Sequence, residues 1–172
     1  MPENDNWQDR FVEHLESLRE NRGALASLRR GLGSSPGTVP AMYPYIIPWT
    51  PRNRKVEEAC YVVGSLFALY PEAGGTDDLG MAFAKVSDPS DSLEKRFVAL
   101  LNCHYDDLPN HLRQATSLLK SKDIPINWRE LLQDIMGWEH ESRYIQRKWA
   151  RGFWQNKAEG SSQSNQTNGG RS

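Results

Sequence analysis

The sequence predicts an all-α fold, a compact multi-helix bundle, on three observations. Apolar residues recur at spacings of three and four along most of the chain, the mark of amphipathic helices, and no strand-like alternation or internal repeat interrupts them. Hydrophobic residues make up 38% of 172 positions and include six Trp, six Tyr and five Phe, enough to build a real interior. Five prolines, at positions 36, 40, 44, 48 and 51, confine the one long segment that can be neither helix interior nor central strand.

The elements follow in order. Residues 5–20 read as a helix with Asn4 or Asp5 as cap and Trp7, Phe11, His14, Leu15 and Leu18 along one side. Residues 22–32 read as a second, with Leu25, Leu28 and Leu32 inward and Gly33 as stop signal. Gly31 weakens its last turn, and Arg22, Arg29 and Arg30 lie off its apolar face. The proline-rich segment that follows carries Met42, Tyr43, Tyr45, Ile46, Ile47 and Trp49, too apolar for a solvated linker. It reads as a long ordered loop packed over the bundle, with a docking surface for a partner protein as the alternative.

Residues 53–70 form the most apolar helix and are expected at the centre, through Val56, Ala59, Cys60, Val63, Leu66, Phe67 and Tyr70. Arg52, Arg54 and Lys55 gather at its start, an unfavourable end of the helix dipole for cations. A bound phosphate would hold them there; chance is an equally simple cause. Residues 76–86 (capped by Thr76), 91–104 and 106–121 read as further helices, the last with Pro109 tolerated in its first turn.

Asn127 caps a final pattern in which Trp128, Leu131, Ile135, Trp138, Ile145, Trp149 and Phe153 hold one apolar stripe. The unbroken register predicts one long helix, with Gly137 its weak point. On another face Arg143, Arg147 and Arg151 step by four, with Arg129 and His140 in the same sector and Lys148 beside them. From Gln155 onward the chain has no large apolar residue, so a disordered C-terminal tail over 155–172 is expected after a helical domain over 1–154.

Most amphipathic helices carry a solvated polar face; this one is distinguished by its sign. Net charge is only −1, yet residues 143–157 hold five bases and no acid, whereas residues 71–112 hold eight acids and three bases. A chain polarised in this way can set one face on phosphates. Cys60 and Cys103 lie far apart, without metal-ligand spacing, and read as free thiols of a cytoplasmic protein. Neither a membrane span nor a signal peptide is expected. No phosphate-binding glycine loop, nucleophile elbow or zinc-protease motif occurs, so no catalytic residue, metal or cofactor is assigned.

Leu28-Arg29-Arg30-Gly31, Tyr43-Pro44, Trp128-x-x-Leu131-Leu132-x-Asp134, Trp138 and the closing Trp149-Ala150-Arg151-x-Phe153-Trp154 occur in this order over residues 7–154. In that order and spacing the chain resembles the CasB family, the small subunit of the type I-E CRISPR Cascade surveillance complex. The resemblance implies an all-helical, non-enzymatic subunit that occurs as two copies beside the CRISPR RNA-bearing backbone subunits and the large subunit. It further implies a basic surface that helps hold unwound target DNA, including the displaced strand. Arg29, Arg30 and the final-helix arginines Arg143, Arg147 and Arg151 match the family's basic motifs; Lys148 lies beside them, and Arg52, Arg54 and Arg113 are added from charge and placement. Trp154 is read as packing before base stacking. Two rivals remain: a helical scaffold that bridges protein subunits without touching nucleic acid, and, last, a metal-dependent nuclease using Asp77 or His104.

Overall fold

The computed structural model describes residues 6–88 and 90–164. Among them the chain forms nine α-helices and no strand, which settles the fold class as all-α. The helices are α1 (Trp7–Ser17), α2 (Arg22–Arg29), α3 (Tyr43–Ile46), α4 (Arg54–Leu69), α5 (Leu79–Ala84), α6 (Ser92–Asn102), α7 (Leu108–Ser121), α8 (Trp128–Met136) and α9 (Tyr144–Ser164). Short polar side chains start several of them by accepting an otherwise orphaned backbone N–H. Asn21 accepts from Ala24 at 3.0 Å, Asn53 from Val56 at 3.2 Å and Asn127 from Glu130 at 3.1 Å. Asn6 caps α1; the expected caps Asn4 and Asp5 lie outside the described residues. At α5 the cap is Asp78, not Thr76, so that helix is shorter than its sequence pattern.

α4 is the central helix: every residue from Ala59 to Ala68 is buried, and α2, α7 and α8 pack around it. The proline-rich segment is ordered and lies over the bundle. It coils into 3-10 turns at Pro40–Met42 and Ile47–Trp49 on either side of α3, each of the three with a proline in its first turn, where no N–H is required. Met42 and Ile46 anchor it in the core. Two glycines make room for them: a Cβ on Gly31 would lie 2.6 Å from the Met42 sulfur, and one on Gly64 would lie 2.8 Å from Ile46 Cδ1. Gly31, read from sequence as a weakness of α2, is a seat for the loop.

The expected single helix over residues 128–153 is two. α8 ends at Gly137, a turn runs through Trp138 to Arg143, and α9 doubles back. Every residue of the apolar stripe is nonetheless buried. The connection from Gly137 to Arg143 is seven residues long, and seven helical positions advance within about 20° of two full turns. The stripe therefore stays in phase across a chain reversal, which hides the break from a periodicity argument. Arg143 sits at φ 52°, in the left-handed region, where the chain enters α9.

α9 lies across α5 at very close range. A Cβ on Gly80 would collide with the Trp149 backbone, and one on Gly152 would lie 2.8 Å from Met81 Cγ. Each buried indole finds an acceptor: Trp128 donates to the Glu72 carbonyl at 2.7 Å, Trp138 to the Cys103 carbonyl at 3.3 Å, and Trp149 to Asp134 at 2.7 Å. α9 runs on to Ser164, past Gln155, where the sequence pattern starts its tail. The rest of that expected tail, residues 165–172, lies outside the described residues.

Candidate nucleic-acid interface

The site begins with a buried carboxylate. Asp134 on α8 is 1% exposed; one oxygen accepts from Trp149 Nε1 and the other from the Lys148 ammonium. Lys148 also donates to Glu130 Oε1 at 2.6 Å. In a continuous helix, residues 134 and 148 would stand about 21 Å apart; the reversal at 137–143 brings them into contact. Burial pushes the Asp134 carboxyl up, to about 6, against the downward pull of Lys148 and Trp149. Burial lowers the Lys148 ammonium, but its hydrogen bonds to Asp134 and Glu130 outweigh that and hold it above its ordinary value. The proton that moves in this pair is Asp134's.

This lock sets the rotation of α9. With Trp149 fully buried, Arg147 and Arg151 stand two residues to either side of it, about 160° away and only about 40° from each other. Both are exposed, and neither has an ion-pair or hydrogen-bond partner for its guanidinium among the described residues. They border a groove of about 450 Å³ between α5 and α9, together with Met81, Tyr144 and Asp78. Asp78 Oδ1 is taken by the Met81 N–H at 2.9 Å. On the other flank, Arg147 and Arg143 border a shallower groove over Val98 and Leu101 of α6.

The remaining sequence candidates divide by what occupies them. Lys148 is committed to Asp134 and Glu130, so its charge serves the fold; sequence spacing does not reveal those partners because they lie across the helix break. Arg143 donates to the Leu101 carbonyl at 2.8 Å and fixes the entry to α9 against α6. Arg29 Nε donates to the Ala68 carbonyl at 2.9 Å, and Lys120 to Leu69 at 3.0 Å. Both cations thus cap the C-terminus of α4, where the dipole favours them. At the opposite end of α4, Arg54 pairs with Glu58 and Lys55 with Glu139, each at 3.0 Å. Acids, and not only a hypothetical phosphate, account for those two cations.

Arg30, Arg52 and Arg113 are exposed and carry no such pairing among the described residues. Arg113 reaches the turn after Arg30, with Nη1 3.4 Å from where a Cβ on Gly33 would lie. Neither groove along α9 contains a residue of α2, α4 or α7. Arg30 and Arg113 are therefore a second basic location, not part of the grooves that hold Arg147 and Arg151. Of the sector expected around the α9 arginines, Arg129 pairs with Asp9, and His140 bonds to Ser142 at 2.8 Å. Cys60 is buried and its thiol pushed up to about 12 by burial, an unreactive state. No described helix is long and apolar enough to cross a membrane.

These features define a class: an all-helical protein that pins its last helix by a buried carboxylate and turns outward an arginine pair without a partner among the described residues. The chain belongs to the family of CRISPR-associated protein Cse2, whose model matches residues 24–154. It is 32% identical over 156 residues to CRISPR-associated protein Cse2 of Thermus thermophilus, covering 85% of this chain and 89% of that one. It is similar to the crystal structure of M. ruber CasB, at 30% identity and a TM-score of 0.77, covering 92% of this chain and 98% of that one. A chain in a structure described as a CRISPR RNA-guided surveillance complex superposes with a TM-score of 0.82 at 26% identity, over 92% of this chain and 97% of that one. The resemblance to CasB proteins read from the sequence is borne out.

Proposed function

We propose that this chain is a non-catalytic subunit of an RNA-guided CRISPR surveillance complex and that it binds nucleic acid without sequence specificity through α9. The observation that carries this reading is the outward pair Arg147 and Arg151, unpartnered among the described residues on a helix whose opposite face is locked into the core. Guanidinium contacts to phosphates release counterions and ignore base identity, which suits a subunit that must accept any target. Opening a duplex to pair with guide RNA is a nearly balanced exchange, so a few backbone contacts to the displaced strand tip it toward the open R-loop. Arg30, Arg52, Arg54 and Arg113 are secondary phosphate contacts in this reading; Arg29, Arg143 and Lys148 act mainly through the fold.

The partners are CRISPR RNA and target DNA, the backbone and large subunits of the complex and a second copy of this chain, within the cytoplasm. No step of chemistry is assigned to it. No group of three His, Cys, Asp or Glu side chains is placed to hold a metal ion among the described residues, and Asp77 is ion-paired to Lys85 at 2.5 Å. A scaffold reading, in which the chain bridges proteins without touching nucleic acid, draws on Ile47 and Trp49, which are 48% and 41% exposed in the second 3-10 turn of the proline-rich segment. The two readings part in a salt titration of the full chain with labelled DNA of unrelated sequences. Binding that is independent of sequence and falls linearly in log affinity with log salt supports the first. Partner binding with no nucleic-acid affinity at low salt supports the scaffold.

A further inference from the structure

The groove between α5 and α9 holds an aromatic ring that the phosphate-contact reading leaves unused. Tyr144, the first residue of α9, is 45% exposed and borders that groove beside Arg147 and Arg151. Its ring is held in place. The hydroxyl end covers Gly137, where any Cβ would strike it, and the His140 ring meets it edge to face at 5.1 Å between centroids. Met81 adds an apolar side chain to the same groove. A half-exposed ring, braced by Gly137 and His140, in one groove with two cations that have no partner among the described residues, combines the two elements that hold a single strand: a platform for a base and charges for its phosphates. Duplex DNA keeps its base faces stacked on one another and offers such a ring no free face to stack on.

We propose that the α5–α9 groove is a base-stacking site for an unpaired nucleotide, with Tyr144 as the platform and Arg147 and Arg151 on the flanking phosphates. This rests on the nucleic-acid reading of α9 and narrows it: the ligand is recognised as single-stranded, through a base face as well as through charge. Stacking tolerates any base, so the site adds affinity without adding sequence preference. Immobilising Tyr144 in the free protein lowers the ordering cost of forming the stack.

The test compares a labelled oligothymidylate with an abasic oligonucleotide of equal length and charge, titrated against the full chain at fixed low salt. Wild type is expected to bind the base-bearing strand at least roughly five-fold more tightly. Tyr144→Ala is expected to bring it down to the abasic level with an unchanged salt slope, and Tyr144→Phe, which keeps the ring, to behave as wild type. A melting curve for each variant reports whether the turn over Gly137 survives. Equal binding of both strands by wild type overturns the stacking site while leaving the phosphate reading intact. So does a Tyr144→Ala protein that keeps the preference. Absence of binding to either strand at low salt overturns both.

Discussion

Replacing Arg147 and Arg151 together by glutamate is expected to lower affinity for DNA or RNA by roughly 10- to 100-fold at low salt. The same change is expected to flatten the salt dependence by about one unit of slope for each phosphate that the variant no longer neutralises. The two side chains are the clean targets on α9, because both are exposed and neither holds another group among the described residues. The melting temperature is therefore expected to stay near wild type. Neighbouring cations will not behave so simply. Lys148→Glu strips a partner from buried Asp134, and Arg143→Glu removes the tie to the Leu101 carbonyl. A triple reversal that included Arg143 would confuse weaker phosphate binding with damage to the turn that aims α9. Fluorescence anisotropy across a salt series, with melting curves beside it, checks the double variant.

Asp134→Ala is expected to be the most damaging single substitution for stability, costing about 3–5 kcal/mol and lowering the melting temperature by roughly 10 °C. It strands the Trp149 indole N–H in the core, removes one of the two acids on Lys148 and leaves a void where α8 and α9 meet. Asp134→Asn keeps an acceptor for Trp149 and is expected to cost less. The same carboxyl makes stability depend on pH in a definite direction. Burial raises it from an ordinary 3.8 to about 6, so between those values the folded protein keeps a proton that the unfolded chain has released. This contribution is largest below about pH 4, falls as pH rises to about 6 and is level beyond. Denaturant melts at several pH values, wild type against Asp134→Asn, check it. A slope that survives in the asparagine variant would assign the pH dependence to another group.

Much of the architecture is legible in the sequence because burial imposes helical periodicity directly. The apolar run of α4, the cap at Asn127 and the stripe from Trp128 to Phe153 all stand where the pattern puts them. The sequence marks Gly137 as a weak point but does not show the reversal there, since a seven-residue turn preserves helical phase. Its consequence for the site is large: with α9 folded back, Lys148 meets Asp134 and ceases to be a free cation. The pairing has a faint sequence signal, Glu130 and Asp134 one turn apart beside a buried stripe, but only the reversal reveals whom they face. Lys55 illustrates the same limit: the Glu58 that pairs with Arg54 lies four residues on, visible from spacing, whereas the Glu139 that holds Lys55 arrives from across the fold. Spacing reports neighbours on one helix, and the free charge on a surface depends on neighbours from others.

The arginine pair itself is legible as charge; its lack of an ion-pair partner among the described residues is not, and the functional reading depends on that. The most direct test measures the lifetime of an R-loop held by the reconstituted surveillance complex containing either the wild-type chain or the Arg147→Glu/Arg151→Glu variant, with equal incorporation of the subunit verified. The expected result is a complex that assembles normally but releases the displaced strand and recloses the duplex markedly faster with the variant. An R-loop of unchanged lifetime, from a fully assembled complex carrying both substitutions, would contradict the assignment of α9 as the nucleic-acid-holding face.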